Sequence, residues 1–418
     1  MMTTDFKVNG TEENHEVYYG LDLEVKYCKT CTISNQRPSS TVEFKNTGKK
    51  KTTISFGENG ICSACEYAEI KENEINWEER EQELIKLCND FRSKQGNYDC
   101  IVPGSGGKDS AFTAHILKYK YNMNPLLVTW APHRYTEIGW QNYQNWLNAG
   151  FDGSLFTPNP KVHRLLTRLA FDKLLHPFQP FIIGQRLIAP KASIQLGIPL
   201  IFYGENQAEY GNDIEENFIP TMKTDFFAGS QDPNDLILSG LTGKELIDDF
   251  GIAENEFNPY LPVEKQKLEE AGTVVHYLGY YLKWDPQECY YYAAKHTGFK
   301  SNDQRTEGSY SKYSSIDDRI DPLHYYTTLI KFGIGRATYD SCQEIRNGKI
   351  ERDEGVALIK KFDCEIPDRY LSEMLEYMME MTEEQFWNKI DEGRSPHLWT
   401  QTDQGWELKN PIWKESKE

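Results

Sequence analysis

Pro103-Gly104-Ser105-Gly106-Gly107-Lys108-Asp109-Ser110 is the stretch on which the reading of the chain turns. The apolar run Cys100-Ile101-Val102 before it predicts the end of a buried strand, and Ser110 to Tyr121 predicts a helix. A loop of small residues joins them. Such a junction leaves backbone N–H groups unpaired at the positive end of a helix, where an anion can accept from them. Glycines let that backbone curl and come close to the anion. The string is not a Walker A loop, because Lys108 is followed by Asp109 rather than Ser or Thr. The bland alternative is a chance glycine turn before a helix.

Strands and helices alternate on either side of this loop. Leu126–Trp130, Ser154–Phe156 and Leu200–Tyr203 read as strands, separated by helices over Gly139–Ala149, Val162–Leu174 and around Ile188–Leu196. The pattern predicts an α/β fold with a doubly wound, mostly parallel sheet. Ligands on such sheets sit beyond the carboxyl ends of the strands. That rule gathers the loop, Thr129 and Trp130 after the second strand, and Gly204 and Glu205 after the fourth into one crevice. For Trp130 a core position is the competing reading. Glu205 has less structural reason to follow an apolar strand.

The hexapeptide Ser105–Ser110 resembles the signature of the PP-loop (N-type) ATP pyrophosphatases, which cut ATP between its α and β phosphates. The resemblance implies that Gly104, Ser105, Gly106, Gly107, Lys108, Asp109 and Ser110 hold the pyrophosphate part of ATP. It also implies that Asp109 helps hold Mg²⁺ and that Thr129, Trp130 and Gly204 border the nucleotide. Lys108, Asp109 and Glu205 are then the candidate catalytic groups.

Composition narrows the partners. The 418 residues carry 64 acidic against 46 basic side chains, a net charge of −18. That balance opposes a broad nucleic-acid footprint, which needs a field of Lys and Arg. No run of ~18 apolar residues predicts a membrane span, and the polar, acidic start, Met1 to Tyr18, is unlike a secretory signal. A cytoplasmic chain with reduced thiols is expected. Four of the nine cysteines form two C-x-x-C pairs, Cys28/Cys31 and Cys62/Cys65, with thirty residues between the pairs. Two such knuckles suit a closed Zn²⁺ site; an iron–sulfur cluster would use the same ligands. Thr41–Phe44 and Thr52–Phe56 around Asn46-Thr47-Gly48 read as a hairpin returning the second knuckle to the first.

Four units are expected. Residues 1–70 hold a tail and the knuckle, 71–206 the nucleotide fold, 207–320 an insertion covering the crevice, and 321–418 a helical region. The alternating pattern is read as stopping at residue 207. The aromatic run His276 to Trp284 reads as core, interface or a stacking surface, and the polar run Gly308 to Arg319 as a loop over the site.

Gly279-Tyr280-Tyr281 to Trp284 and Lys331-Phe332-Gly333-Ile334-Gly335-Arg336-Ala337-Thr338, continuing to Asn347-Gly348, resemble a branch of the superfamily. With the knuckle and Ser105–Ser110, they are similar to the WbpG-like N-acetyl sugar amidotransferases of bacterial surface-sugar biosynthesis. The likeness runs from Tyr27 to about Asp363. It implies conversion of an acetamido group on an activated sugar to an acetamidino group, through an adenylated amide and ammonia. No cysteine has a neighbouring glycine and residue 2 is Met, so the chain lacks the nucleophile of a glutaminase. The resemblance then implies separate glutaminase and cyclase-like subunits. A tRNA-thiolating PP-loop enzyme and a non-catalytic scaffold subunit are the alternatives.

Overall fold

The computed structural model describes residues 19–39, 44, 50–206, 209 and 218–414. Its centre is a five-stranded, all-parallel sheet. The strands are β1 (Cys100–Pro103), β2 (Pro125–Trp130), β3 (Asp152–Phe156), β4 (Leu200–Tyr203) and β5 (Val274–Tyr277), in the order β3-β2-β1-β4-β5. Alternate side chains of the strands feed two separate cores. Ile101, Leu126, Val128, Trp130, Ile201 and Val275 join one, while Cys100, Val102, Leu127, Leu200 and Phe202 join the other. A sheet buried on both faces explains why its central strands read as unbroken apolar runs.

Among the described residues, six helices precede β4: α1 (Ser63–Asn73), α2 (Trp77–Phe91), α3 (Lys108–Tyr119), α4 (Glu137–Asn148), α5 (Pro160–Leu174) and α6 (Gln179–Leu196). From β1 the chain winds outward through β2 to β3, then returns over α5 and α6 to place β4 on the other side of β1. The winding therefore reverses between β1 and β4, and a crevice opens there, at the carboxyl ends of both strands.

Three readings need correcting. The alternating pattern does not stop at residue 207, because β5 pairs with β4 from Leu200↔Val274 to Tyr203↔Tyr277. Its four residues run straight into the helical turn Leu278–Tyr281, which hid the strand among aromatics. Helix α6 starts at Gln179, a turn and more before the predicted segment, and carries Pro190 inside it. The carboxyl-terminal region is not only helical: Trp399–Thr402 and Gly405–Leu408 form an antiparallel hairpin. Pro38 lies antiparallel to Thr53, while the first limb of the expected hairpin, Thr41–Phe44, lies outside the described residues apart from Phe44. So do residues 1–18 and most of 207–217.

One buried charge ties the periphery to the sheet. Lys71, near the end of α1, is fully buried; its Nζ donates to both carboxylate oxygens of Glu209 at 3.1 and 3.0 Å. It also donates to Trp284 O at 3.1 Å and Asn347 Oδ1 at 3.2 Å. Four acceptors satisfy an ammonium that would otherwise be costly to bury. Lys71→Ala strands the Glu209 carboxylate, so a loss of about 3–5 kcal/mol is expected in urea unfolding. The double variant Lys71→Met/Glu209→Gln should recover much of it. A single-variant midpoint equal to wild type would show that the pair is not structural.

Candidate functional site

The phosphate loop is shaped by close contacts at its glycines. Gly106 has φ +88°, and a Cβ there would lie 2.8 Å from Tyr143 Cα on α4. A side chain at Gly104 would collide with Ser110. Gly107 is different: the nearest atom to a Cβ there is Ser105 Oγ at 3.9 Å, so this side of the loop faces open space. Gly107 is the cap of α3, and Lys108 is its first residue. The N–H groups of the first helical turn thus point at the space beside Gly107.

Lys108 Nζ lies 2.6 Å from Asp109 Oδ2. Burial pulls the ammonium down, but the carboxylates of Asp109 and Glu205 more than offset this and raise it above its ordinary value. The charge on Lys108 is therefore kept in a nearly dry position. The other oxygen, Asp109 Oδ1, is buried with no hydrogen-bond partner. An oxygen in that state suits a divalent cation, and the residues present fit Mg²⁺.

Two cavities meet at this loop. The first, about 410 Å³, is lined by Ser105, Gly107, Asp109 and Ser110, with Gly204 and Glu205 opposite. Gln185 and Arg186 of α6 and Met222 of the following segment complete it. Arg186 sits 5.1 Å over the Phe226 ring and makes no ion pair among the described residues; burial lowers its pKa. A half-buried cation on the wall of this cavity suits an anionic ligand. The second cavity, about 270 Å³, shares Ser105, Gly107, Asp109 and Glu205 with the first.

The far wall of the second cavity comes from the carboxyl-terminal part of the chain. Asp317, Asp321, Tyr325 and Arg336 line it. Arg336, the first residue of the helix Arg336–Arg346, is held by Asp340 Oδ1 at 3.0 Å and lies 4.3 Å over the Tyr325 ring. Burial raises the Asp317 carboxyl, against the pull of a hydrogen bond with the Ser105 side chain. Burial pushes Asp321 up to about 7, against the attraction of Arg336. The polar run 308–319 does reach the site, as its sequence suggested. The loop, Gly204 and Glu205 converge there too. Thr129 and Trp130 stand at the end of β2 but line neither cavity. Trp130 is a core aromatic, packed over Gly184 and against Phe156 and Tyr260. Gln185, Arg186, Asp317, Asp321 and Arg336 were not singled out from sequence.

The four knuckle cysteines are all buried, and their sulfurs lie within 4.8 Å of one another. Cys28 and Cys65 are 3.9 Å apart, Cys31 and Cys62 3.7 Å. Such a set of thiols could hold a metal ion. The knuckle docks on the carboxyl-terminal region, where Arg352 Nε donates to Cys31 O at 3.1 Å and Thr32 meets Ser341 at 3.0 Å.

Gly106→Ala combines backbone strain with a clash against helix backbone. Titration with a fluorescent ATP analogue should show affinity reduced by tenfold or more, with far-UV circular dichroism unchanged. Undiminished affinity would show that the loop does not hold the phosphates.

No described helix is long and apolar enough to cross a membrane. Residues 307–412 match the family model for the C-terminal domain of the WbpG-like LPS biosynthesis proteins. That match runs past Glu365, so the likeness does not end near Asp363 as read from sequence. An 83-residue stretch is 32% identical to an uncharacterized protein, MJ1599, of Methanocaldococcus jannaschii, covering 20% of this chain and 29% of that relative. Similar solved structures include the NMN synthetase from Francisella tularensis, at 13% identity and TM-score 0.28, covering 72% of this chain and 97% of that one. The U34-tRNA thiolase NcsA from Methanococcus maripaludis, solved with its [4Fe-4S] cluster, is similar at 10% identity and TM-score 0.27, covering 79% and 93%. The carboxyl-terminal residues 307–412 are thus similar to the C-terminal domain of the WbpG-like LPS biosynthesis proteins, and they form the wall of the second cavity that carries Asp317, Asp321 and Arg336.

Proposed function

We propose that the chain is an ATP-dependent amidotransferase that turns an acetamido group of an activated sugar into an acetamidino group. One observation carries this reading: Ser105, Gly107 and Asp109 of the loop, with Glu205, form the shared wall of two cavities, and the second is closed by residues of the WbpG-like domain. ATP occupies the first cavity, with its pyrophosphate portion on the loop. The acceptor occupies the second, between Asp317, Asp321 and Arg336, and belongs to surface-polysaccharide biosynthesis as the matched family's description does.

The chemistry gives each part a task. An amide carbonyl is a poor electrophile and its oxygen a poor leaving group. Attack of the amide oxygen on the α-phosphate forms an O–P bond and releases pyrophosphate; ammonia then forms the C–N bond and AMP leaves with the oxygen. Lys108 and the N–H groups at the start of α3 stabilise the charge that grows on pyrophosphate. Mg²⁺, held through Asp109, supplies further charge neutralisation when bound. Ammonia comes from separate glutaminase and cyclase-like subunits, and the work is cytoplasmic. A thiolating role fits less well. Cys289 packs near Lys108 and Asp109, but it is 2% exposed and burial pushes its thiol well above the ordinary value.

Zinc is the proposed occupant of the knuckle. Zn–S bonds of about 2.3 Å in a tetrahedron put sulfurs about 3.8 Å apart, which the 3.7 and 3.9 Å pairs support. An iron–sulfur cluster, with each thiolate on its own iron, needs wider spacing. Elemental analysis should find one zinc per chain, lost in Cys31→Ser along with thermal stability. Iron with a visible charge-transfer band would reverse the assignment.

Incubation with ATP, Mg²⁺, ammonium and a panel of activated di-acetamido sugars should release AMP and pyrophosphate in equal amounts. The product mass should fall by the difference between O and NH. Asp109→Ala is expected to lower turnover by roughly a hundredfold or more. ADP and phosphate as products would sink the proposal.

A further inference from the structure

Arg346 ends the helix Arg336–Arg346 as a half-buried cation. It makes no ion pair among the described residues, and its Nε is buried with no hydrogen-bond partner. Nη2 donates to the backbone carbonyl of Glu209 at 2.8 Å, which satisfies one N–H group but neutralises nothing. The Glu209 carboxylate itself is taken by Lys71. A guanidinium held partly from water without a counter-charge is costly, so an anion belongs close to it.

Its neighbours are sulfurs. Cys342 stands four residues before Arg346, so the two side chains share one face of the helix. Cys342 Sγ lies 3.1 Å from Thr32 Oγ1, and its side chain hydrogen-bonds that of Cys31. That face therefore looks onto the knuckle. Burial pulls the Arg346 guanidinium down, but the sulfurs of Cys31, Cys342, Cys65 and Cys62 more than offset this and raise it. Four neutral thiols would leave the arginine unpaired. Four thiolates around one divalent ion carry a net charge of about −2. Cys28 already accepts from the N–H groups of Thr30, Cys31 and Cys62, at 3.4, 3.4 and 3.3 Å. Arg346 covers the side of the cluster formed by the other three.

We infer that Arg346 is the outer-sphere cation of a metal–tetrathiolate centre at Cys28, Cys31, Cys62 and Cys65, with the Cys342 thiol beside it as a neutral hydrogen-bonding partner of Cys31. The inference rests on the metal reading of the knuckle above. The same helix begins at Arg336 on the wall of the second cavity, so this charge pair anchors that wall from behind. Arg346 is a positioning residue: it acts through the metal centre and the helix.

Arg346→Gln keeps an N–H donor for the Glu209 carbonyl and removes the charge. Zinc competition against a colorimetric chelator should show affinity lowered by about tenfold or more, and Arg346→Lys should restore it to within about threefold. In the cobalt-substituted protein the sulfur-to-metal charge-transfer band should move to longer wavelength in Arg346→Gln, because a thiolate relieved of a nearby cation gives up an electron more readily. An arginine that merely braces Glu209 would not move that band. Affinity for the fluorescent ATP analogue should stay within about twofold, which shows that the variant is folded. Should Arg346→Gln fail to fold, Arg346→Met decides in its place, with the same expectation. Wild-type metal affinity or an unmoved band in the folded variant would overturn the outer-sphere role. A wild-type chain that binds no metal would instead remove the centre itself.

Discussion

Helix α4 touches both halves of the site, and its glycine makes that possible. A Cβ at Gly139 would lie 2.5 Å from Asp317 Cα, and one at Gly106 would lie 2.8 Å from Tyr143 Cα, one turn along the same helix. The phosphate loop and the segment 313–319 are thus pressed against neighbouring turns of one rigid element. Backbone pairing fixes the second contact: Thr136 N donates to Asp317 O at 3.1 Å and Arg319 N to Arg134 O at 3.0 Å. Asp318 adds bonds to His133 N and Nδ1, both at 2.7 Å. The result is that Asp317 and Ser105, more than two hundred residues apart in sequence, meet through side chains. The sheet places the loop and Glu205; α4 places Asp317 against them.

What was legible in the sequence follows from how local each cause is. The loop is set by its own glycines and by the strand and helix on either side of it, so eight residues suffice to read it. Glu205 was found because a charged residue directly after an apolar strand is conspicuous. Arg186 was not, because the first half of α6 is apolar on all sides and two prolines obscure its period. Trp130 occupies the right position in the topology, yet its ring turns into the core where Gly184 makes room. That choice depends on α6, which contributes nothing to the sequence near Trp130. The polar run that contains Asp317 was legible as a loop over the site, but the placing of Asp317, Asp321 and Arg336 as side chains depends on α4 and on a long return of the chain, which no local pattern announces. The strand β5 was hidden for another reason: four residues without alternation cannot be told from the aromatic segment that continues them.

The knuckle and the carboxyl-terminal domain explain one another. A small four-cysteine unit near the start of the chain has little core of its own. Here it is stapled at its base by Arg352 and Thr32 to the helices Arg336–Arg346 and Arg352–Phe362, and through α1 by Lys71 to Asn347 and Trp284. Those same helices carry Arg336, and Trp284 packs beneath Gly204 and against Phe112 of α3. Asp363 accepts from Gly335 N and Thr338 N at 3.0 Å, fixing the start of the helix that bears Arg336. The four-cysteine unit is therefore part of the frame that holds the Arg336 wall of the second cavity.

Electrostatics give the last constraint. A chain with a net charge of −18 repels polyanions at long range, yet its crevice is shaped for them. The attraction has to be local, and it is: Lys108, Arg186 and Arg336 are each held in or beside the two cavities, with the N–H groups at the start of α3 between them. Buried and partly buried cations of this kind are screened less by salt than a basic surface is. Binding of the nucleotide should then depend on fit to a few fixed charges rather than on the field of the whole molecule. The surrounding carboxylates would resist any anion that cannot reach them.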